Sequence, residues 1–283
     1  MKHRFGGLWT RKKLDILRNY LSVYTKALQE RFTLHYVDAF AGTESHSAKL
    51  DPSQEFLIPE EDLSGSAKVA LETNPGFHHY HFNDANPDHV DALEKIKNEF
   101  SNKSINISQQ DANHFVPSFC QSLTSHDRAV LLLDPFSTEL AWETLKPVAK
   151  SEKIDLWLLF PVSVILRITP KDGARIRPEW GRTLSRLLGT DDWQNSLYKP
   201  KHQPPIDDMF GDQEEDITTR LNVDELEIWV TNRLKELFSY VAKPVPLRNN
   251  KATLFLFYFA VSNPSDKARK LADRIIKSVL RNQ

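Results

Sequence analysis

Hydrophobic residues recur along the chain with two different spacings, and their alternation predicts an α/β fold. Near the N-terminus apolar residues step by three and four, the spacing of one buried helical stripe, and Thr10 can cap this helix. The stripe consists of Leu14, Leu17, Leu21, Tyr24 and Leu28. Residues 33–37 follow as a short run of apolar and β-branched residues, which predicts a strand that ends at Asp38.

From residue 64 to residue 160 helical and strand patterns alternate. The predicted order is helix 66–73, strand 79–82, helix 87–100, strand 104–108, helix 112–123, strand 129–133, helix 139–150 and strand 155–160. This βαβ rhythm predicts a parallel sheet with right-handed crossovers. Strand 129–133 is apolar throughout, so we expect it near the centre of the sheet, where helices cover both faces.

The last third of the chain is less regular. A basic stretch over 167–186 precedes a segment over 199–216 that is rich in proline and acidic residues and predicts an exposed loop. A helix over 223–241, a long apolar strand over 252–261 and a closing helix over 266–281 follow. The sequence thus divides into a helical segment 1–32, a Rossmann-like core 33–165, an insertion 166–222 and a C-terminal helix–strand–helix unit 223–283.

Composition limits the classes of protein to consider. With 40% hydrophobic and 27% charged residues, the 283-residue chain has the balance of a globular protein with a substantial core. Cys120 is the single cysteine, so we expect neither an intramolecular disulfide nor a cysteine-rich metal site, but a small buried hydrophobe in a reducing cytoplasm. The longest apolar run, over 254–261, is far shorter than the ~20 residues that cross a bilayer. We therefore expect no membrane association.

Polar residues at the ends of the predicted strands carry the candidate chemistry, because ligands of open parallel sheets bind at the carboxyl ends of the strands. The first strand ends in Asp38-Ala39-Phe40-Ala41-Gly42, where the glycine lets the backbone approach a ligand. The polar stretch that follows, over 43–63, is long for a loop and could cover a bound ligand.

Two further strands also end in acidic residues. Asp84 can accept hydrogen bonds from a ribose diol, and Asp111 can accept from an adenine amino group or simply cap the next helix. Three acids on three successive strands indicate a nucleoside, and the low glycine content favours S-adenosylmethionine over a pyrophosphate dinucleotide. The predicted cofactor-binding residues are Asp38, Ala39, Phe40, Ala41, Gly42, Asp84, Asp111 and Ala112.

The fourth strand runs directly into Asp134-Pro135-Phe136. A carboxylate and a proline carbonyl can accept hydrogen bonds from an amino group while an aromatic ring stacks on a planar base. Such acceptors would hold the nitrogen lone pair towards a methyl donor, which makes these three residues the candidate catalytic set. The alternative is a helix start, with Asp134 as N-cap and Pro135 in the first turn.

Two other clusters suggest binding sites. Of the neighbouring histidines only His79 and His81 share a strand face and no third ligand is apparent, so no metal site is predicted. In the basic stretch Arg167, Arg175 and Arg177 are candidate substrate-binding residues that could contact a nucleic-acid backbone. The alternative for this stretch is a solvated charged face.

Several short strings together resemble the three-Cys-motif partner protein family, TcmP. They are Trp9-Thr10-Arg11-Lys12-Lys13-Leu14 with Tyr20-Leu21, Tyr36-Val37 leading into Asp38 to Gly42, Gly65-Ser66-Ala67, Leu133-Asp134-Pro135-Phe136, Asp155-Leu156-Trp157-Leu158, and Phe160-Pro161. The resemblance spans essentially the whole chain. It implies a methyltransferase-like fold, with an antiparallel C-terminal strand beside the fifth strand, and a partner protein that bears a three-cysteine, radical-SAM-like motif.

The Asp134-Pro135-Phe136 string also resembles the Asp/Asn-Pro-Pro-aromatic motif of amino-group methyltransferases, with one proline missing. The first hypothesis is therefore a SAM-dependent methyltransferase that modifies an amino nitrogen, on a nucleic-acid base for example. The alternative is a SAM-binding or nucleoside-binding module that serves as partner to the three-cysteine protein. A nucleotide hydrolase is disfavoured because the chain has no P-loop.

Overall fold

The computed structural model describes residues 8–42, 65–171, 176–200, 218–250 and 252–281. Its strands are β1 (Thr33–Asp38), β2 (His79–Asn83), β3 (Ile105–Ser108), β4 (Asp127–Leu133), β5 (Ile154–Phe160), β6 (Tyr198–Pro200), β7 (Thr218–Arg220), β8 (Tyr240–Val241), β9 (Val245–Asn249) and β10 (Ala252–Val261). Its α-helices are α1 (Leu8–Leu28), α2 (Gly65–Leu71), α3 (Pro87–Glu99), α4 (Ala112–Ser122), α5 (Leu145–Ser151), α6 (Val162–Ile168), α7 (Pro178–Leu188), α8 (Trp193–Leu197), α9 (Val223–Leu237) and α10 (Asp266–Arg281).

The first five strands form a parallel sheet in the order β3-β2-β1-β4-β5. β10 lies antiparallel beside β5, with Leu256 opposite Phe160 and Val261 opposite Asp155, and both β8 and β9 pair with β10. β6 and β7 form a separate two-stranded ribbon. The predicted fold class is confirmed: an α/β fold with a Rossmann-like sheet, mostly parallel, a C-terminal antiparallel strand and helices on both faces.

Helices cover the sheet on two sides, which we call the α1 face and the α4 face. The α1 face carries α1, α2, α3 and α10, and the sheet side chains that point into it include Leu34, Tyr36, Val130, Leu132 and Trp157. The α4 face carries α4, α5, α6, α7 and α9, against Val37, Leu131, Leu133, Leu156 and Leu158. Residues 129–133 of β4 are fully buried between these two layers, as the apolar run predicts.

Three predicted helix boundaries are wrong. No continuous helix covers 139–150: a 3₁₀ turn, Trp142–Thr144, precedes α5. The Asn113 side chain accepts hydrogen bonds from the Ala141 amide (2.8 Å) and the Thr144 hydroxyl (2.7 Å), and the former keeps Ala141 in an extended conformation. α9 ends at Leu237, four residues early, because residues 240–241 pair with β10. α1 begins at Leu8, so Thr10 lies inside the helix.

Some predictions fall on residues outside the described ranges. They include the stretch 43–63 that could cover a ligand, the position of Arg175, and most of the predicted loop 199–216. None of the helices in the described part of the chain is both long and apolar enough to cross a membrane.

Candidate active site

The strand order reverses direction between β1 and β4. The chain passes from β1 to β2 on one side, whereas β4 lies on the other side of β1, and this arrangement opens a crevice at the carboxyl ends of the two strands. Asp38 ends β1 opposite Leu132, and Asp134 comes two residues after Leu132. The sheet therefore brings together the two predicted segments that begin at Asp38 and Asp134.

Asp38 is fully buried on the α1 face. Its carboxylate accepts hydrogen bonds from the Ser66 hydroxyl (2.7 Å) at the start of α2 and from the Phe40 amide (3.3 Å). Burial raises the pKa of Asp38 to about 7, and the nearby Asp134 charge adds to the rise, whereas Ser66, Phe40 and Lys13 oppose it. Asp38 is therefore a carboxyl group that can gain or lose a proton near neutral pH.

Lys13 of α1 reaches the same crevice, and its ammonium group donates a hydrogen bond to Oδ2 of Asp134. Both side chains are largely buried, at 10% and 15% exposure, and the Lys13 ammonium also lies 5.6 Å from the centre of the Trp9 ring. The second oxygen, Oδ1 of Asp134, is buried and accepts no hydrogen bond from any residue within the described ranges. One oxygen of the carboxylate is thus bound by a cation, while the other is an acceptor that no described residue uses.

Sequence reasoning did not single out Lys13 as a functional residue, although a signal for it was present. The buried positions of α1 include Ile16, Leu17, Tyr20 and Leu21. Lys13 precedes three of them by three, four and seven residues, so it occupies the apolar stripe of the helix. A lysine on a buried stripe needs an anionic partner, and here that partner lies 121 residues further along the chain.

The segment after Asp134 does not start a helix, so the N-cap alternative is wrong. Pro135 is buried and lines a small apolar cavity together with residues of β5 and α7, and Phe136 is half-buried. Ser137 follows with a φ of 56°, a left-handed conformation that is unfavourable for a residue other than glycine. Backbone strain of this kind concentrates at functional sites.

Asp84 is placed at the end of β2, next to the β1 loop. Its carboxylate accepts hydrogen bonds from the amides of Gly42 (3.0 Å) and Asn86 (2.8 Å) and lies 3.1 Å from Nδ1 of His89. A Cβ atom at Gly42 would lie 2.3 Å from the His89 side chain, so only glycine allows the β1 loop to approach α3 this closely. The predicted glycine therefore has a steric role that the structure defines.

A buried asparagine joins three strand ends, and the sequence did not reveal it. Asn83 is fully buried. Its amide donates hydrogen bonds to the carbonyls of Ala39 and Gln110 (both 3.0 Å), and its side-chain oxygen accepts one from the Ser108 hydroxyl (3.0 Å). This network fixes the ends of β1, β2 and β3 relative to one another.

Asp111 is the N-cap of α4. Its side chain accepts hydrogen bonds from the backbone amide (2.7 Å) and the side-chain amide (2.9 Å) of Asn113. This is the capping role that the sequence left open, and Ala112 is buried behind it. Glu139 joins the same rim, where partial desolvation and the charges of Asp84 and Asp111 raise its pKa. The sequence offered no signal for Glu139, because a loop brings it there.

The candidate substrate-binding arginines lie on the other side of the crevice, beyond β5. Arg167 is exposed near the end of α6. Arg177 is exposed at the N-cap of α7, with its guanidinium group 4.9 Å from the centre of the Trp180 ring. Nearby, Arg186 donates a hydrogen bond to the Thr138 carbonyl (2.8 Å), next to the catalytic candidates.

The histidines form a cluster with a member that was not predicted. His35 of β1 lies between His81 (3.1 Å) and Asp127 (3.2 Å) and stacks on His79. Burial lowers the pKa of His81 to about 4, so it is neutral at physiological pH. Within the described ranges no group of three side chains suited to a metal ion occurs. Cys120 is buried as predicted, and burial raises the pKa of its thiol to about 12.

No family model matches the chain, and no curated protein matches it. Among solved structures, a Legionella pneumophila protein of the DUF519 family is 11% identical over 94% of this chain and 91% of that chain, with a TM-score of 0.48. The magnesium protoporphyrin IX methyltransferase ChlM from Synechocystis, solved with bound SAM, is 11% identical over 90% of this chain and 80% of that chain, with a TM-score of 0.39.

A SAM-dependent methyltransferase from Clostridium acetobutylicum is 12% identical over 86% of this chain and 90% of that chain, with a TM-score of 0.37. Likeness at this level assigns neither a cofactor nor a substrate to this chain. Membership of the TcmP family stays a prediction from the sequence strings.

Proposed function

We propose that this protein is a SAM-dependent methyltransferase that acts on an amino nitrogen. The observation that carries the proposal is the Asp134 carboxylate at the reversal point of the sheet: Lys13 holds one of its oxygens, and the other is a buried acceptor without a hydrogen bond from the described residues. A buried acceptor of this kind is costly unless a donor reaches it. An N–H group of a substrate is such a donor.

The residues at the strand ends fit an adenosyl nucleoside. Asp84 is 14% exposed, and its carboxylate has about four lone-pair positions; two accept from backbone amides, and a third faces Nδ1 of His89 at 3.1 Å. Acceptor capacity remains for a ribose hydroxyl, and the Asp38 to Gly42 loop lies directly beside it. When bound, S-adenosylmethionine would supply an electrophilic methyl group.

The carboxylate of Asp134 would orient the substrate amino group through Oδ1, while the Lys13 ammonium prevents the carboxylate from rotating away. A fixed negative charge next to the nitrogen stabilises the positive charge that develops on it during methylation. The methylated nitrogen must then release one proton. The Asp134 carboxylate beside the nitrogen is the acceptor within reach of that proton. Burial and the Asp134 charge raise the pKa of the neighbouring Asp38 to about 7, so the same crevice holds a second carboxyl group that titrates near neutral pH.

Titration calorimetry with S-adenosylmethionine and S-adenosylhomocysteine tests the cofactor half of the proposal. We expect the wild-type protein to bind both, and Asp84→Ala to weaken binding at least about tenfold, which is the loss of roughly one good hydrogen bond to a carboxylate. Asp91→Ala, an equivalent change on the exposed side of α3, is the control and should bind normally. Absence of binding to the wild-type protein would refute the cofactor assignment.

Transfer of a labelled methyl group to adenine- and cytosine-containing oligonucleotides tests the catalytic half. Asp134→Ala should lower turnover by roughly a hundredfold or more, as expected for a lost electrostatic contact in the transition state, with cofactor affinity unchanged. Asp134→Asn keeps an acceptor oxygen and should retain more turnover than the alanine variant. Full activity of Asp134→Ala would remove Asp134 from the mechanism.

Two expectations stay predictions beside this proposal. The resemblance to TcmP implies a three-cysteine, radical-SAM-like partner protein, and co-purification of the two proteins would test physical association. The contact of Arg167, Arg175 and Arg177 with a substrate is likewise untested, and Arg175 lies outside the described residues.

A further inference from the structure

The closing helix α10 displays a straight line of cations. Its positively charged residues recur at steps of three and four along one side, so they lie on a single stripe. The stripe consists of Lys267, Lys270, Arg274, Lys277 and Arg281, all of which are exposed. At 1.5 Å per residue the stripe is about 21 Å long. The opposite side of the helix, which includes Ile275 and Ile276, is buried in the core of the α1 face.

The acids of α10 do not neutralise this stripe. Asp266 pairs with Arg269, which lies off the stripe. Asp273 pairs with Lys277 (2.7 Å) and also accepts a hydrogen bond from the Tyr240 hydroxyl (2.9 Å). The four other stripe residues form no ion pair with any side chain in the described part of the chain. Most of the positive charge on this surface is therefore available to an external anion.

A neighbouring helix extends the same charge. α1 packs against α10 and adds the exposed Arg11 and Lys12. We call the stripe together with these two residues the basic face. The chain as a whole has a net charge of −1, so this excess of positive charge is local. By contrast, α9 on the α4 face carries four acidic residues and two basic ones.

The basic face extends to the candidate active site. α1 begins near the carboxyl ends of the strands, because Lys13 in its second turn contacts Asp134. Arg11 and Lys12 precede Lys13 directly, and Trp9 packs on Phe255 of β10 (ring centres 5.1 Å apart). A ligand bound along α10 and α1 would therefore lie next to the Asp134 carboxylate.

We infer that the basic face binds the sugar–phosphate backbone of a nucleic acid. A regular line of cations matches a polymer with regularly spaced phosphates, and long exposed Lys and Arg side chains are the groups that neutralise phosphates. A membrane surface fits less well, because helices that bind in the interface insert an apolar side, and the apolar side of α10 is already buried in the protein core.

This inference rests on the proposed function only for what happens to the bound nucleic acid, namely methylation of a base. Binding itself needs no cofactor. The basic face lies on the opposite side of the sheet from Arg167 and Arg177, the residues for which the sequence predicts contact with a nucleic-acid backbone.

Fluorescence anisotropy with a labelled 20-base-pair DNA duplex and a 20-nucleotide RNA, each without cofactor and over a series of salt concentrations, tests the inference. We expect at least one probe to bind, with an affinity that falls steeply as salt rises. Lys270→Glu combined with Arg274→Glu should weaken binding at least tenfold and reduce the salt slope by about two, since two phosphate contacts are lost. The neutral pair Lys270→Gln with Arg274→Gln should have an effect in the same direction but smaller.

Lys150→Glu combined with Lys235→Glu is the matched control, because it changes the net charge equally but at exposed positions of α5 and α9. It should change affinity by less than about threefold, the effect of net charge alone. An equal loss in both double variants, no binding of either probe, or binding to phosphatidylserine vesicles in place of the oligonucleotides would overturn the inference. If oligonucleotides bind as expected but calorimetry detects no S-adenosylmethionine, the proposed function fails and the inference stands.

Discussion

The acids that end β1 and β4 differ from those that end β2 and β3 in the groups that bind them. Asp38 and Asp134 are bound by side chains of distant helices, Ser66 of α2 and Lys13 of α1. The other two acids, Asp84 and Asp111, accept from a backbone amide two residues further along the chain, as Asp38 also does, but from no side chain of a distant helix within the described ranges. The first pair therefore depends on how α1 and α2 pack, whereas the second pair is held by turn amides and, at Asp84, by the Gly42 amide of the β1 loop.

This difference separates residues that are poised to react from residues that shape the rim. A buried carboxylate is unstable in its charged form, so the protein must hold it with a cation or a hydroxyl, or leave it protonated. The pKa of Asp38 near 7 and the cation on Asp134 are the two solutions to that problem. Asp111 has no such constraint, because it is exposed to solvent. Asp84 is as little exposed as Asp134, and the backbone amides of Gly42 and Asn86 take the place of the cation there.

Removal of Lys13 should have the largest effect on the first pair. Lys13→Met leaves the Asp134 carboxylate buried without its cation and should lower the free energy of unfolding by about 4 kcal/mol. Urea unfolding at pH 7.5 measures this loss. Lys146→Met, which removes the exposed Lys146–Glu143 pair, should cost less than about 0.5 kcal/mol.

The double variant Lys13→Met with Asp134→Leu removes both charges and should be more stable than the sum of the two single changes predicts, by at least about 1 kcal/mol. Additive losses would mean that Lys13 and Asp134 contribute independently, and the contrast between the two pairs of strand ends would then lose its physical basis.

The next effect concerns the pH dependence that Asp38 confers. The folded protein keeps the Asp38 proton up to about pH 7, whereas the unfolded chain releases it near pH 4, so the folded state binds more protons between these values. This group therefore lowers the free energy of unfolding as pH rises from about 4 to about 7. Asp38→Asn removes this pH dependence. The free energy of unfolding of the variant minus that of the wild type should therefore be about 3 kcal/mol larger at pH 8 than at pH 5.

Urea titrations of both proteins at the two pH values give this difference directly. Asp91→Asn, the same chemical change at an exposed position of α3, serves as the control and should leave the difference near zero. A constant offset between wild type and Asp38→Asn at all pH values would indicate that Asp38 stays charged in the folded protein.

Features of the site that depend on local sequence could be predicted, whereas those that depend on distant contacts could not. Strand ends and helix starts are local patterns, so the parallel sheet and the positions of the four acids were predicted from the chain. The antiparallel final strand was expected only from the resemblance to a methyltransferase-like fold. The cap at Asp111 was predicted as an alternative because donor and acceptor are two residues apart. The Lys13–Asp134 contact spans 121 residues and depends on how α1 packs, so no local pattern could specify it.

Packing also explains one of the three helix boundaries that were predicted wrongly. Residues 139–150 have helical spacing, but Asn113 of α4 binds the Ala141 amide and delays the helix until Leu145. The donor and acceptor lie 28 residues apart. Tertiary hydrogen bonds of this kind override local propensity, and they occur at the rim where the chain must leave a regular helix to build the site.

The smallest expected effect is that of replacing Asp111, one of the second pair of acids. Its measurement decides whether Asp111 caps α4 or contacts the cofactor. As an N-cap, Asp111→Ala should lower the free energy of unfolding by about 1 kcal/mol, and Asp111→Asn should preserve most of it, because asparagine caps helices about as well as aspartate. Affinity for S-adenosylmethionine should then change by less than threefold in both variants, since about 1 kcal/mol of stability leaves the protein folded. Normal stability together with cofactor binding weakened tenfold or more in Asp111→Ala would instead give Asp111 the adenine contact that its position at a strand end predicts.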